Sequence, residues 1–356
     1  MMAKILIVDD SHFARSSLRR IVEQLGHNVV GEARDGAEAV RLNSELNPDL
    51  ILMDLIMDGM DGYEATRLIM KNHPSRILVV SSVAEKGARE TFRALGAGAV
   101  DFIKKPDGAA LHPIEVDLAS KIKTVLSAKL QPSAEARRVE ASQKSTSTST
   151  VPGPKPPVDG FRIIAIGVST GGPATLARVL GAIPAAFPIP ILIAQHIPPG
   201  WGEHLAQHLN ENCAVPVKQA KPMETIDGSS VLIAPGDLNI EVTASWRVRL
   251  TGTMTAACVR PSADLLFRSA AELCGDRTLA VVLTGMGSDG ADGAKLVRGC
   301  GGTVITQSKD SCVVYGMPRT VAEAGLSQWD GTPEQIGRYI AGLKSRSMKR
   351  EEARTA

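Results

Sequence analysis

The sequence predicts an α/β protein: two doubly wound parallel-sheet domains joined by a flexible linker. Three observations carry that prediction. Short apolar runs without polar alternation recur through both halves, as strands covered on both faces require. Stretches with helical spacing lie between them, so the strands are expected to be parallel and joined by right-handed crossovers. Between the halves the composition turns to Ser, Thr and Pro, which cannot build a core.

In the first half the runs at 5–8, 50–53, 77–80 and 100–103 read as strands, and Ile114, Leu118, Ile122, Val125 and Leu126 give a closing helix one apolar face. This domain is expected over 1–128. The Pro, Ser and Thr-rich linker follows over 129–160. A second alternation occupies 161–345, with strands at 163–166, 191–194 and 279–283 and a helix starting near Pro173. A charged tail takes 346–356.

The formal net charge of +2, with 22% charged residues, does not favour a nucleic-acid binder, so a protein partner or small substrate is expected. The five cysteines (Cys213, Cys258, Cys274, Cys300 and Cys312) are odd in number and contain no C-x-x-C, which suits reduced, mostly buried thiols. The start, Met-Met-Ala-Lys-Ile-Leu-Ile-Val-Asp-Asp, meets acids before a signal-peptide core forms, and no apolar stretch approaches the ~18 residues of a membrane span. A cytoplasmic protein with no direct membrane insertion is expected.

Chemistry collects at strand ends. Asp9 and Asp10 follow the first strand of the first domain, Asp54 follows the run at 50–53, Ser81 ends the next and Lys105 follows the last. At one sheet edge, three carboxylates make a hard oxygen site suited to Mg²⁺, while a hydroxyl and an ammonium can hold phosphoryl oxygens. Loop and helix caps explain any one of these residues taken alone, but not the set.

In the second domain Gly167-Val-Ser169-Thr-Gly171-Gly-Pro, Ala-Gln-His196 and Leu-Thr-Gly285-Met-Gly287-Ser-Asp289-Gly290 each follow an apolar run. They offer a hydroxyl, an imidazole and a carboxylate, the set of a serine hydrolase. Their order, Ser then His then Asp, differs from that of α/β-hydrolases, so the G-x-S-x-G string does not assign that fold. Two rival patterns occur in the same domain. Gly285-x-Gly287-x-x-Gly290 with Asp310 beyond it matches a dinucleotide fingerprint but leaves Ser169 and His196 without a role. His204 and His208 stand at i, i+4, but Leu205 replaces the Glu that a zinc protease helix needs.

Residues 3–128 resemble a response-regulator receiver domain, a flavodoxin-like fold. The resemblance implies that Asp54 accepts the phosphoryl group from a sensor histidine kinase. It also implies that Asp9, Asp10, Asp54 and the Ile56 carbonyl hold Mg²⁺, that Ser81 and Lys105 contact the phosphoryl group, and that Phe102 is the aromatic switch residue. One departure is Asp58, which stands where receivers usually carry Pro.

Joined by its linker to a domain with G-V-S-T-G-G, A-Q-H, I-A-P-G-D (233–237), R-P-S-A-D (260–264), L-T-G-M-G-S-D-G and S-C-V-V-Y-G-M-P-R (311–319), the receiver completes a pattern that resembles the chemotaxis protein-glutamate methylesterase family, CheB. Val168 and Ser288 depart from the family strings without changing a catalytic residue type. The resemblance implies a Rossmann-like serine esterase domain in which Ser169, His196 and Asp289 form the triad. It further implies Thr170, Gly171, Met286 and Gly287 as supporting or oxyanion residues, and no cofactor for the ester step. The implied substrates are glutamyl methyl esters and certain glutamines of methyl-accepting chemoreceptors, with phosphorylation relieving a restraint by the receiver. Of the other outputs, a DNA-binding regulator would be shorter, helical and basic, unlike this long, Gly-rich, strand-alternating half, whereas a non-catalytic protein-binding domain stays open on the residues alone.

Overall fold

The computed structural model describes residues 2–81, 85–105, 112–130, 153–254 and 259–343, of which 85–86 and 112–114 by backbone alone. The linker stretch 131–152, the tail from 344, Pro106, Cys258 and the Ile114 side chain lie outside the described residues. The chain divides into two units, 1–148 and 149–356.

The first unit runs β1 (Lys4–Val8), α1 (His12–Gln24), β2 (Asn28–Ala33), α2 (Gly36–Leu46), β3 (Leu50–Met53), α3 (Gly62–Asn72), β4 (Ile77–Ser81), α4 (Glu85–Ala97), β5 (Asp101–Lys104) and α5 (His112–Ser127). Its five parallel strands lie in the order β2-β1-β3-β4-β5, the flavodoxin-like arrangement. Helix starts follow local chemistry. The side chains of Ser11, Asp35 and Asp61 accept the N–H of Ala14, Glu38 and Glu64 at 3.3, 2.8 and 2.8 Å, so each of these helices begins at its capping residue. On α5 the buried face holds Leu118, Ile122 and Val125, joined by Thr124, while Leu126 is half-buried and Val116 is exposed.

The second unit runs β6 (Ile163–Val168), α6 (Gly172–Leu180), β7 (Ile191–Gln195), α7 (Gly202–Asn210), β8 (Val217–Gln219), β9 (Val231–Ile233), β10 (Asn239–Val242), β11 (Val248–Thr251), α8 (Ala263–Cys274), β12 (Thr278–Val282), α9 (Ala291–Gly299), β13 (Thr303–Gln307), α10 (Met317–Glu323), β14 (Asp330–Gly331) and α11 (Pro333–Ala341). Seven strands form one parallel sheet in the order β14-β13-β12-β6-β7-β9-β8. The strands β10 and β11 stand apart as an antiparallel hairpin, tied to α8 where the Val242 N–H donates to Ser269 Oγ at 3.0 Å.

The connection from β6 leads to β7 on one side, whereas that from β12 leads to β13 on the other. The sheet therefore changes winding direction between β6 and β12, the place where ligand crevices open in such folds. The inner strands β6, β7 and β12 are buried along their whole length, each buried Ile, Val or Leu contributing ~1.5–3 kcal/mol over leaving it in water. The last residues of the expected linker are tied to this unit: Tyr339 Oη donates to the Pro154 carbonyl at 2.9 Å and Arg277 Nε to that of Gly160 at 3.0 Å. Among the described cysteines all are free; Cys274 and Cys312 are buried, Cys213 is half-buried and Cys300 is exposed. Burial pushes the Cys213 and Cys274 thiols up to about 11, which keeps them protonated at neutral pH.

The C-terminal helix α11 braces α6, the helix that starts just beyond Ser169. Arg178 Nε and Nη2 donate to the two carboxylate oxygens of Glu334 at 2.6 and 3.0 Å. Burial works against the Glu334 carboxylate, but the Arg178 guanidinium outweighs it and holds the carboxyl below its usual range. A depressed acid stabilises the fold above its unfolded value, and that stabilisation is lost as pH falls through the native value. Glu334→Ala is therefore expected to cost about 1 kcal/mol at pH 7. In urea titrations the difference from wild type should shrink as pH drops below ~4; a difference independent of pH would assign the cost to packing.

Candidate active site

In the first unit, Asp9, Asp10 and Asp54 each place a carboxylate oxygen within 4.8 Å of the others, Asp9 and Asp54 buried and Asp10 exposed. Lys105 Nζ lies 2.7 Å from Asp9 Oδ2 and 2.8 Å from Asp54 Oδ2. Burial pushes the Asp54 carboxyl up, against the pull of Lys105. Burial also works to lower Lys105, but the Asp54 and Asp9 carboxylates outweigh it and hold the ammonium above its usual value. Three hard oxygen donors at this spacing, one open to solvent, fit an octahedral divalent cation that keeps several waters.

Ser81 is buried beside this cluster's strand tips and its Oγ donates to the Gly87 carbonyl at 3.2 Å. Phe102 is buried edge-on to Phe92 at 6.2 Å. Ile56 is 38% exposed, and Asp58 is exposed two residues further on. A residue that sequence reasoning missed is Arg15, whose Nη1 donates to the carbonyls of Asp9 at 2.8 Å and Asp10 at 3.1 Å. Glu32 accepts its Nε at 3.1 Å, so β2 pins the arginine that shapes the acidic loop.

In the second unit, Ser169, His196 and Asp289 lie just beyond the carboxyl ends of β6, β7 and β12. Val168 pairs with Gln195 in the sheet, which makes Ser169 and His196 the next residues on neighbouring strands. The ladder continues one step past the strands, where the His196 N–H donates to the Val168 carbonyl at 3.1 Å. Gln195 closes it: its Nε2 donates to the carbonyls of Ser169 and His196, each at 3.0 Å.

The turn that carries Ser169 is shaped by its glycines. Gly171 has φ of +76°, a conformation open to glycine at little cost. A Cβ on Gly172 would run into Gln195 Oε1, so the tight packing that seats Gln195 needs a bare Cα there. The Ser169 N–H donates to the Thr284 carbonyl at 3.0 Å, and Thr284 Oγ1 donates to the Thr170 carbonyl at 3.0 Å. The turn at Gly285 is clamped in its turn by the S-C-V-V-Y-G-M-P-R segment: the Gly285 carbonyl accepts the N–H groups of Gly316 and Met317 at 3.0 and 2.9 Å.

Asp289, 2% exposed, accepts from His196 Nε2 at 2.8 Å. Burial works to raise its carboxyl, but the bonds from His196, the Ala263 N–H and Ser262 together hold it below the usual range. An ionised Asp289 takes the Nε2 proton of a neutral imidazole and leaves the lone pair on Nδ1. No hydrogen bond joins the Ser169 hydroxyl to His196 among the described residues, and such contacts tighten on substrate. The Gly171 and Gly287 N–H groups have no acceptor among the described residues. Gly171 sits at the N-terminus of α6, where partial positive charge gathers. Met286 and Gly287 are exposed at the mouth of the site. For Thr170 the bond from Thr284 holds the turn, and its side chain is buried.

The rival patterns find less support. Gly285 to Gly290 does link β12 to α9, but a Cβ at Gly285 would stand 2.7 Å from that of Ser169, and Asp289 faces His196. His204 and His208 are half-buried on α7, and the metal-capable cluster among the described residues is the one in the first unit.

Residues 164–340 match the CheB methylesterase family and residues 5–113 the response regulator receiver domain. The protein-glutamate methylesterase/protein-glutamine glutaminase 1 of Saccharophagus degradans is 39% identical over 348 residues, covering 92% of this chain and 95% of that one. A protein of the same description from Thermotoga maritima is 40% identical over 333 residues, covering 92% and 94%. The crystal structure of the T. maritima CheB methylesterase catalytic domain is 38% identical, with a TM-score of 0.49, over 51% of this chain and 98% of that one. The chain, a receiver followed by an α/β domain with Ser169, His196 and Asp289 at its switch point, belongs to the CheB methylesterase family.

Proposed function

We propose that this chain is a phosphorylation-activated serine hydrolase that removes methyl esters from glutamyl side chains of chemoreceptors and deamidates some of their glutamines. The observation that carries the reading is the 2.8 Å contact of His196 Nε2 with Asp289, at the strand tip beside Ser169. Ser169 Oγ attacks the ester carbonyl while His196 Nδ1 takes its proton. Asp289 keeps the ring in the required tautomer and stabilises the imidazolium. The N–H groups of Gly171 and Gly287, with Thr170 and Met286 supporting the two turns, face the oxyanion, each well-aimed donor worth ~3 kcal/mol. His196 returns the proton to departing methanol, then deprotonates the water that releases glutamate; with glutamine the leaving group is ammonia. Nothing in this sequence calls on a cofactor.

In the receiver, Asp9, Asp10, Asp54 and the Ile56 carbonyl would hold Mg²⁺, which when bound neutralises charge as a phosphoryl group transfers. Asp54 is the acceptor, a sensor histidine kinase the donor, and Lys105 and Ser81 contact the phosphoryl oxygens. Phe102, packed on Phe92, reports the change to the surface as the switch residue. The protein works in the cytoplasm without nucleic acid; no described helix is long and apolar enough to cross a membrane.

A serine-directed fluorophosphonate tests the catalytic reading: the label should map to Ser169, and a chain that takes none while still releasing methanol from methylated receptors would overturn it. Asp54→Asn is expected to abolish stimulation by a small-molecule phosphodonor with Mg²⁺ while leaving the basal rate within about twofold, since it leaves the hydrolase domain untouched. Stimulation that persists in the variant would move the switch elsewhere.

A further inference from the structure

The helices α8 and α9 begin without side-chain caps of their own. The Ser262 side chain makes no capping bond to α8, and Gly290 at the start of α9 has no side chain to offer. Each helix is instead capped by a carboxylate from the other. Asp289, which precedes α9, accepts the Ala263 N–H at 2.7 Å and the Asp264 N–H at 3.3 Å, both on α8, as well as the Ser262 hydroxyl at 2.8 Å. Asp264, on α8, accepts the Gly293 N–H at 2.7 Å. Gly293 is the third helical residue of α9, the position whose N–H an N-cap side chain would take.

The exchange needs the two helix starts in contact. A Cβ on Gly293 would stand 2.9 Å from Asp264 Cα and 2.7 Å from Phe267 Cβ, so the glycine lets the backbones meet. It also brings two buried carboxylates together, with no cation among the described residues bonded to Asp264. Burial pushes the Asp264 carboxyl up to about 6, with the charges of Asp289 and Asp292 adding and the Gly293 N–H opposing. Such a group is costly to keep in a fold unless the site uses it.

We propose that Asp264 is a positioning residue of the hydrolase: by capping α9 it fixes the loop that carries Asp289, and so the line from Asp289 Oδ2 to His196 Nε2. The proposal deepens the esterase reading and rests on it. Asp264 touches neither substrate nor imidazole, and acts through Asp289 alone. Asparagine keeps an acceptor for the Gly293 N–H, whereas alanine does not.

The test uses the full-length chain, methylated receptor membranes and NMR of the far-downfield imidazole N–H. Asp264→Ala is expected to lower kcat tenfold to ~100-fold, the cost of a small misplacement. KM should stay within about twofold, because substrate contacts are untouched. The His196 Nε2–H resonance should broaden or vanish, and Asp264→Asn should restore both kcat and the resonance. A fall in kcat below tenfold, a change confined to KM, or an asparagine variant no better than alanine would each overturn the proposal. If Asp264→Ala does not fold, Asp264→Asn decides: near-normal rate with an intact resonance supports the cap, and loss of either refutes it. Failure of the esterase reading is told apart by Ser169→Ala, whose full activity would sink that reading while the resonance still reports on the exchanged caps.

Discussion

Ser169→Ala is expected to lower methanol release from methylated receptors by on the order of 10⁵-fold, because removing the nucleophile of a triad costs nearly as much as removing the whole set. Stability should hardly move. The turn is held through the backbone of residue 169, whose N–H bonds the Thr284 carbonyl and whose carbonyl takes Gln195 Nε2. Alanine preserves both bonds. Thermal unfolding within about 1 °C of wild type, together with the lost rate, assigns the effect to chemistry, since a shift of that size is only a few tenths of a kcal/mol. A variant that keeps a tenth of the wild-type rate would show that another group attacks the ester.

Asp289→Asn should lower kcat by ~10⁴-fold, since an amide next to Nε2 no longer favours the tautomer whose lone pair faces the serine. Unlike the serine change, it should also destabilise the fold. Asp289 is the acceptor for the N–H groups of Ala263 and Asp264 and for the Ser262 hydroxyl, and the negative charge at the start of α8 adds up to ~2 kcal/mol. Asp289→Ala leaves those buried donors unpaired, at ~1–3 kcal/mol for each that finds no water. The pH dependence has a sign. The Asp289 carboxyl is held low in the fold, so its contribution is present above the ordinary carboxylate value near ~4 and is lost as pH falls through the native one. Denaturant titrations should therefore show wild type and Asp289→Asn converging in acid. Equal stability at pH 7 would mean that α8 does not depend on this carboxylate.

What could be read from the chain beforehand follows from what each segment buries. The runs that became β1, β3, β4, β6, β7 and β12 are continuously apolar because helices cover both faces, and their ends were therefore visible, along with Asp54, Ser169, His196 and Asp289. The edge strand β2 was not named, because Asn-Val-Val-Gly-Glu-Ala is half-exposed and has two buried residues, Val29 and Ala33. The strands β8 and β14 are short edges of the same kind, and the β10–β11 hairpin hides in a stretch of mixed polarity. On α5, Thr124 faces inward because its hydroxyl is satisfied by the Ser120 carbonyl at 2.8 Å, a contact that apolar spacing cannot reveal.

The supporting polar residues were harder still. Gln195 is buried at the end of an apolar strand, which marked it as bonded to something without saying to what. Ser262 stands where a helix cap is expected before Ala-Asp-Leu-Leu-Phe, yet its hydroxyl turns to Asp289. Asn239 is wholly buried, accepts the Ser262 N–H at 2.8 Å and donates to the Thr253 carbonyl at 2.7 Å. Such long-range partners depend on which strands become neighbours, and spacing along the chain carries no record of that.

The bridge made by Gln195 has an uneven consequence for how Ser169, His196 and Asp289 can come apart. Serine and imidazole follow directly on paired residues of neighbouring strands, so parting them means shearing the sheet itself. The acid is attached through a loop and two helix starts instead. Breathing of this centre is thus confined to its acid side, and amide exchange should find the Gly290–Gly293 segment opening well before the β6–β7 pair.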